Sequence, residues 1–172
     1  MVKIVSPSLE FYPAFESFIE EMRAHGETLW TPYVRAQSES AEAFIERLLR
    51  RRHKPEDDIV PETVYWGIVG SDVVGRIALR HRLEGNLHDV GGHIGYEVRP
   101  SFRRRGIARE MLKQVLESNE AQSIGKLLLT CAPDNVASNR TIVVNGGQLS
   151  KMIFVDLIQG ERNHYWINLE NK

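Results

Sequence analysis

The sequence predicts an α/β chain of the α+β kind: one domain over residues 1–172, with about four helices flanking a central, mixed but mostly antiparallel sheet of about seven strands. Three observations carry this expectation. Apolar residues recur at helical spacing in four stretches and at strand spacing in most of the others. One run, Leu127 to Cys131, is apolar enough to be a central strand covered by helices on both faces. Finally, 172 residues with 42% hydrophobic content suffice for one buried core and do not call for two domains.

The elements follow in order. Val2 to Val5 forms a short strand. Ser8 then caps a helix whose Leu9, Tyr12, Phe15, Phe18, Ile19 and Met22 share one face, and Gly26 ends it. Leu29 to Gln37, with Trp30, Pro32 and Tyr33, is an irregular loop before Ser40 caps a second helix that turns Phe44, Ile45, Leu48 and Leu49 inward. Val64, Trp66 and Ile68 mark one arm of a hairpin; Val74, Ile77 and Leu79 mark the other, beyond the Gly70-Ser71-Asp72 turn. A third strand carries Ile94, Tyr96 and Val98 on one face and stops before Pro100, which has no N–H to donate to a ladder. From Gly106 to about Ser118 a helix presents Ile107, Met111, Leu112, Val115 and Leu116 as one stripe. After the Leu127 strand comes a short helix from about Val136 to Asn145, closed by Gly146-Gly147. Ile153 to Leu157 and Tyr165 to Leu169 form a last hairpin around Gln159-Gly160.

Charge and composition exclude several classes of function. Lys and Arg number 22 against 23 Asp and Glu, a net charge of −1, so nothing global draws the chain to nucleic acid or an anionic membrane. The basic clusters Arg50 to Lys54 and Arg103 to Arg105 are flanked by acidic residues and lack interleaved aromatics, so neither resembles a nucleic-acid surface. No apolar run approaches the ~20 residues of a membrane span. Cys131 is the only cysteine, which rules out an internal disulfide and favours the cytoplasm. It ends a buried strand without a basic neighbour in sequence, so it is expected to pack rather than react. No metal is expected.

The most informative segment is Val98-Arg99-Pro100-Ser101-Phe102-Arg103-Arg104-Arg105-Gly106-Ile107-Ala108, which joins a strand to a strongly periodic helix. A helix start leaves main-chain N–H groups unpaired and gathers positive dipole, and a glycine allows the tight turn that sets those donors against an anion. A diphosphate fits such a cradle, and the three arginines add charge to steer it. A P-loop needs Lys followed by Ser or Thr after its last glycine, whereas Ile107 and Ala108 follow Gly106. A dinucleotide fold needs spaced glycines after the first strand, where Ser6-Pro7-Ser8 stands.

Arg103 to Ala108 resembles the coenzyme A motif of the GNAT superfamily of N-acetyltransferases: Arg or Gln, two residues, Gly, one residue, then Gly or Ala. Asn135-Val136-Ala137-Ser138 resembles that family's second cofactor segment, with Asn135 and Ser138 at the matching places. The run Gly91-Gly92-His93-Ile94-Gly95-Tyr96 is similar to a bacterial subgroup of these enzymes. The resemblance implies a GNAT-like three-layer fold and acetyl-CoA as co-substrate, held by Val98, Arg99, Arg103, Arg104, Arg105, Gly106, Ile107, Ala108, Asn135 and Ser138. It implies direct attack of an amine on the thioester within a ternary complex, an oxyanion donor near Val98, and a small-molecule or peptide amine as acceptor.

An amine is mostly protonated at neutral pH, so a base is needed. Glu97 and His93 are the first candidates, on one side of their strand if it is regular; His81 and His88 lie near the same end of the sheet. Many relatives carry a tyrosine acid where this sequence has Ile142, which leaves Tyr96, Tyr165 or water to protonate the departing thiolate. That substitution keeps a second reading open, a catalytically weak acetyl-CoA sensor or assembly module. Trp30 and Tyr33 line the acceptor pocket or pin their loop to the core. Exposed hairpin edges, such as the Tyr165 strand, offer a route to a homodimer.

Overall fold

Seven strands and five α-helices are formed among residues 1–28, 30–53 and 60–170, which the structure, a computed structural model, describes. Leu29 of the predicted loop and Lys54 of the first basic cluster lie outside these residues. In chain order the elements are β1 (Lys3–Val5), α1 (Tyr12–Ala24), α2 (Ala41–Arg50), β2 (Glu62–Val69), β3 (Asp72–Arg80) and β4 (Ile94–Val98). Then come α3 (Ile107–Leu116), α4 (Asn119–Ile124), β5 (Lys126–Cys131), α5 (Val136–Val144), β6 (Gln148–Val155) and β7 (Gly160–Asn168).

Three layers result, because the two faces of the sheet bury different helices. Phe15, Phe18 and Met22 of α1 and Phe44 and Leu48 of α2 pack with Trp66, Val73 and Ala78 on one face. The α3 stripe of Met111, Leu112 and Val115 packs on the other, with Val74, Ile77, Leu79, Leu127 and Ile167. The stacked rings of Phe15 and Trp66, 4.3 Å apart, lock α1 to β2.

Several local expectations are corrected. Ser8 does not cap α1; the helix starts at Tyr12 behind Phe11, with Pro13 supplying a preset φ in its first turn, and Leu9 is exposed. Ser40 does cap α2, its Oγ accepting from the Ala43 amide at 3.2 Å, but Leu49 faces solvent. A short additional helix, α4, is capped by Ser118, whose Oγ accepts the Ala121 amide. The closing hairpin is longer than its apolar residues mark, and β7 lies between β5 and β6, so the edge is β6 and not the Tyr165 strand.

The hydrogen-bonded ladders divide into a four-stranded sheet, β1-β2-β3-β4, and a three-stranded one, β5-β7-β6, all paired antiparallel. Between β4 and β5 there is a clasp instead of a ladder. The His93 amide donates to Leu128 O at 2.7 Å, the Leu128 amide donates to His93 Nδ1 at 2.9 Å, and the Gly91 amide donates to Thr130 Oγ1 at 2.9 Å. Beyond this corner the strands part, opening a cleft toward Val98 and Cys131.

Gly92 makes the clasp possible. Its φ is +61°, and a Cβ there would lie 2.4 Å from the Leu128 carbonyl oxygen, inside any attainable contact distance. Gly92→Ala is therefore expected to destabilise the protein by on the order of 2–4 kcal/mol, from backbone strain and overlap together. Urea unfolding measures it; a loss below about 0.5 kcal/mol, the scale of an ordinary surface change, contradicts this account of the junction.

Candidate active site

The end of β4 delivers the chain into the arginine-rich turn in a conformation that frees its amides. Arg104 has φ +62° and Gly106 φ +77°, and α3 begins directly after them. The main-chain N–H groups from Arg104 to Arg109 find no acceptor among the described residues; the first helical bond runs from the Glu110 amide to Gly106 O. Such a run of donors, backed by the positive end of a helix dipole, is suited to an anion. A Cβ at Gly106 would meet nothing within 4 Å, so the space over the turn is open.

Not every arginine faces that space. Arg99 reaches back to α1, donating from Nε to Glu21 Oε2 at 2.6 Å and from Nη2 to Ser17 Oγ at 3.0 Å. Burial opposes the charge on Glu21, yet Arg99 and the Ser101 amide and hydroxyl hold its carboxyl down at about 2. Arg103 donates to Val98 O at 3.0 Å and pairs with Glu27 at 2.6 Å. The Arg99 side chain thus fastens α1 to the turn, and Arg103 ties the turn to Glu27 just beyond that helix. Arg104 and Arg105 are exposed, the latter over the Phe102 ring at 5.2 Å.

The parting strands enclose a cleft of about 330 Å³ lined by Ile94, Gly95 and Tyr96 of β4, Leu129 to Cys131 of β5, and Asn135, Ser138 and Ile142 around α5. The Arg80 amide bonds His93 O and the Arg99 amide bonds Val74 O. Alternation along an antiparallel ladder then turns the main-chain groups of Ile94, Tyr96 and Val98 away from β3, toward the open edge. Asn135 caps α5, its Oδ1 accepting the Ser138 amide at 3.0 Å. Ser138 Oγ in turn meets the Tyr96 hydroxyl at 2.8 Å. Burial pushes the Tyr96 phenol up to about 12. Ile142 is buried, so α5 presents no acid at that position.

A second cleft, about 290 Å³, opens on the other side of β4 between the strand and the Trp30–Tyr33 segment. Arg80, Gly95 and Tyr96 line both clefts, so the two meet across β4. Glu97 faces the second, where Arg76 Nη2 lies 3.0 Å from its Oε1 and Arg76 Nε donates to its Oε2 at 3.3 Å. Tyr33 is buried with its hydroxyl donating to Glu62 Oε2 at 2.8 Å, while Trp30 stays half-exposed.

The other expected bases fall elsewhere. His93 lines neither cleft: its Nδ1 accepts the Leu128 amide, and burial pushes the ring down to about 4. These contacts make it a clasp between β4 and β5, away from both clefts. His81 meets Thr63 Oγ1 at 2.8 Å and, like exposed His88, lines neither cleft. Cys131 packs against Asn139 with its thiol pushed up by burial. Sequence reasoning passed over Asn139, whose Oδ1 accepts from Tyr165 at 2.6 Å, Asn163 at 2.9 Å and Cys131 at 3.3 Å. It also passed over Arg76, and it noted Arg80 only within the run Arg80-His81-Arg82 that accompanies the subgroup resemblance, without a role in a cleft. In the first basic cluster Arg51 is buried against Glu62 at 2.5 Å and Arg52 pairs with Glu120, so the cluster is no open stripe.

A family model described as an acetyltransferase (GNAT) domain matches residues 11–148. The chain belongs to the GNAT acetyltransferase family. Solved structures of similar fold include the microcin C7 self-immunity acetyltransferase MccE in complex with acetyl-CoA and AMP, 16% identical over 97% of this chain and 92% of that one, with a TM-score of 0.70. Mycobacterium smegmatis RimJ in complex with CoA-disulfide is 16% identical over 98% and 82%, at a TM-score of 0.67. A Salmonella typhimurium acetyltransferase that modifies the N-terminal serine of ribosomal protein L7/L12 is 18% identical over 97% and 94%, again at 0.67. Among curated proteins no sequence matches. In this GNAT enzyme, then, β4 separates two clefts that meet at Tyr96, and the amide-rich turn lies just past the strand's end.

The clasp gives a pH dependence. His93 falls from an ordinary value of 6.5 to about 4 on folding, so the unfolded chain binds the extra proton between those values. The stability contributed by the neutral ring is complete above about pH 6.5 and lost progressively as pH drops toward 4. Urea unfolding from pH 7 to 4 is expected to show a shallower decline for His93→Gln than for wild type; equal slopes contradict the clasp.

Proposed function

We propose that this chain acts as a single N-acetyltransferase domain that moves an acetyl group from acetyl-CoA to an amine by direct attack in a ternary complex. The observation that carries the reading is the set of amides from Arg104 to Arg109 without acceptors among the described residues, beside open space at Gly106, which suits a diphosphate. Two of the structures of similar fold hold acetyl-CoA or a coenzyme A disulfide, which supports it.

When bound, acetyl-CoA supplies a thioester acyl group that a free amine can take without an acyl-enzyme. The rest falls to the protein. The turn, with Arg104, Arg105, Gly106, Ile107 and Ala108, grips the phosphates; the open edge of β4 and the Asn135 and Ser138 end of α5 line the cleft for the pantetheine arm. The Val98 N–H, turned away from β3, is the donor for a developing oxyanion. Tyr96, whose phenol stays protonated throughout the neutral range, holds a proton where the two clefts meet and takes the place of an acid at Ile142. Glu97 faces the acceptor side and takes the amine's proton; a carboxylate has about four acceptor sites, so Arg76 leaves room. The buried Ile142 also favours a second reading, an acetyl-CoA sensor with little turnover.

Two measurements test this. Gly106→Trp fills the space over the turn at a strain cost of about 1 kcal/mol, so it is expected to fold and to lose acetyl-CoA binding by calorimetry; retained affinity overturns the assignment. Glu97→Gln is expected to lower amine-dependent thiol release about a hundredfold near pH 7, with the deficit narrowing as pH approaches the amine's own pKa. A parallel pH profile removes Glu97 as the base, and binding with no amine-dependent release favours the sensor.

A further inference from the structure

We propose that the acceptor carries a carboxylate beside its amine, as an α-amino acid does, and that Arg80 and Arg76 in the second cleft recognise it. This rests on the acetyltransferase reading above and adds the chemical class of its acceptor.

The cleft is lined by two guanidinium groups whose pairing is incomplete. Arg76 is 4% exposed; Nε and Nη2 are engaged by Glu97, while Nη1 is buried with no acceptor among the described residues. The Tyr33 ring covers that guanidinium at 3.6 Å. Arg80, 6% exposed, donates from Nη1 to Gly92 O at 2.9 Å, and the carboxylate it pairs with among the described residues, Glu62, is 3.9 Å from Nε. Glu62 is held more closely by Arg51 at 2.5 Å and by the Tyr33 hydroxyl at 2.8 Å, so it gives Arg80 little. Trp30, half-exposed at the mouth, lies 5.3 Å from the Arg80 guanidinium.

A buried guanidinium whose fork is only partly paired is costly, and that planar fork pairs best with a planar carboxylate. Among the described residues the carboxylate lining the same cleft is Glu97, which pairs with Arg76 on the strand where the two clefts meet. The cleft therefore presents a cationic site and an anionic site to its occupant, matching a molecule with an amine next to a carboxylate. A polyamine or aminoglycoside would bring further positive charge against Arg76 and Arg80, which works against those classes.

The test is a calorimetric panel of the twenty α-amino acids, each titrated beside its own carboxamide into the full chain with coenzyme A present, followed by thiol release with acetyl-CoA. At least one acid is expected to bind and react at least about tenfold better than its amide, the scale of a lost charge-assisted hydrogen bond. Arg80→Gln is expected to bring that ratio toward one. Equal behaviour of every acid and amide pair, or no binding by any acid, overturns the proposal on the wild-type protein alone, whether or not Arg80→Gln folds. Coenzyme A binding is read separately in the same titrations: its loss marks failure of the acetyltransferase reading, while its retention without acid preference marks failure of the carboxylate site.

Discussion

The structure depends on main-chain hydrogen bonds that it withholds. A ladder continued from β4 to β5 would close the sheet and leave no cleft; one clasp at His93 and Leu128 holds the strands together and lets them part beyond it. The same economy operates at the turn before α3, where the positive φ of Arg104 and Gly106 leaves successive amides without acceptors. Unpaired donors are costly when buried, and here they border open space. Both features lie at the ends of β4, so a five-residue strand sets the position of the amide-rich turn, the cleft edge and Glu97 at once.

Around that strand the remaining layers act as supports. Arg99 and Arg103 brace the turn against α1 and the residues just after it through Glu21 and Glu27, which helps fix its shape. Tyr33 and Glu62 fix the floor of the second cleft, and Asn139 ties β5, β7 and α5 together beneath the first. These are polar networks buried or half-buried at element ends, where a fixed geometry matters more than added stability.

Periodicity made the seven strands, the four longer helices and the open turn at Gly106 legible, because those signals are local: apolar spacing, a glycine at a helix start, a proline ending a strand. The junction at Gly92 was not legible, since its cause is the Leu128 carbonyl from a strand 36 residues later in sequence. The structural partners of Arg99, Arg103 and His93 were hidden for the same reason. A charged or titratable residue near a motif is assigned to the motif by proximity in sequence, while its partner is chosen by packing across elements. The cleft positions of Arg76 and Arg80 were not legible because a β3 strand of mixed charged and apolar residues does not reveal which face is covered by an aromatic loop. Tyr33 was legible only as an alternative between pocket and core, and it serves the second while shaping the first.

The claim on which the functional account stands is that the amides between Arg104 and Arg109 bind the diphosphate of the acyl carrier. Titrating the ¹⁵N-labelled protein with coenzyme A and, in parallel, with pantetheine, which lacks the diphosphate, addresses it by amide chemical shifts. The account predicts that Arg104 to Arg109 give the largest shifts with coenzyme A and stay in place with pantetheine. Coenzyme A binding that leaves those amides unmoved would contradict it.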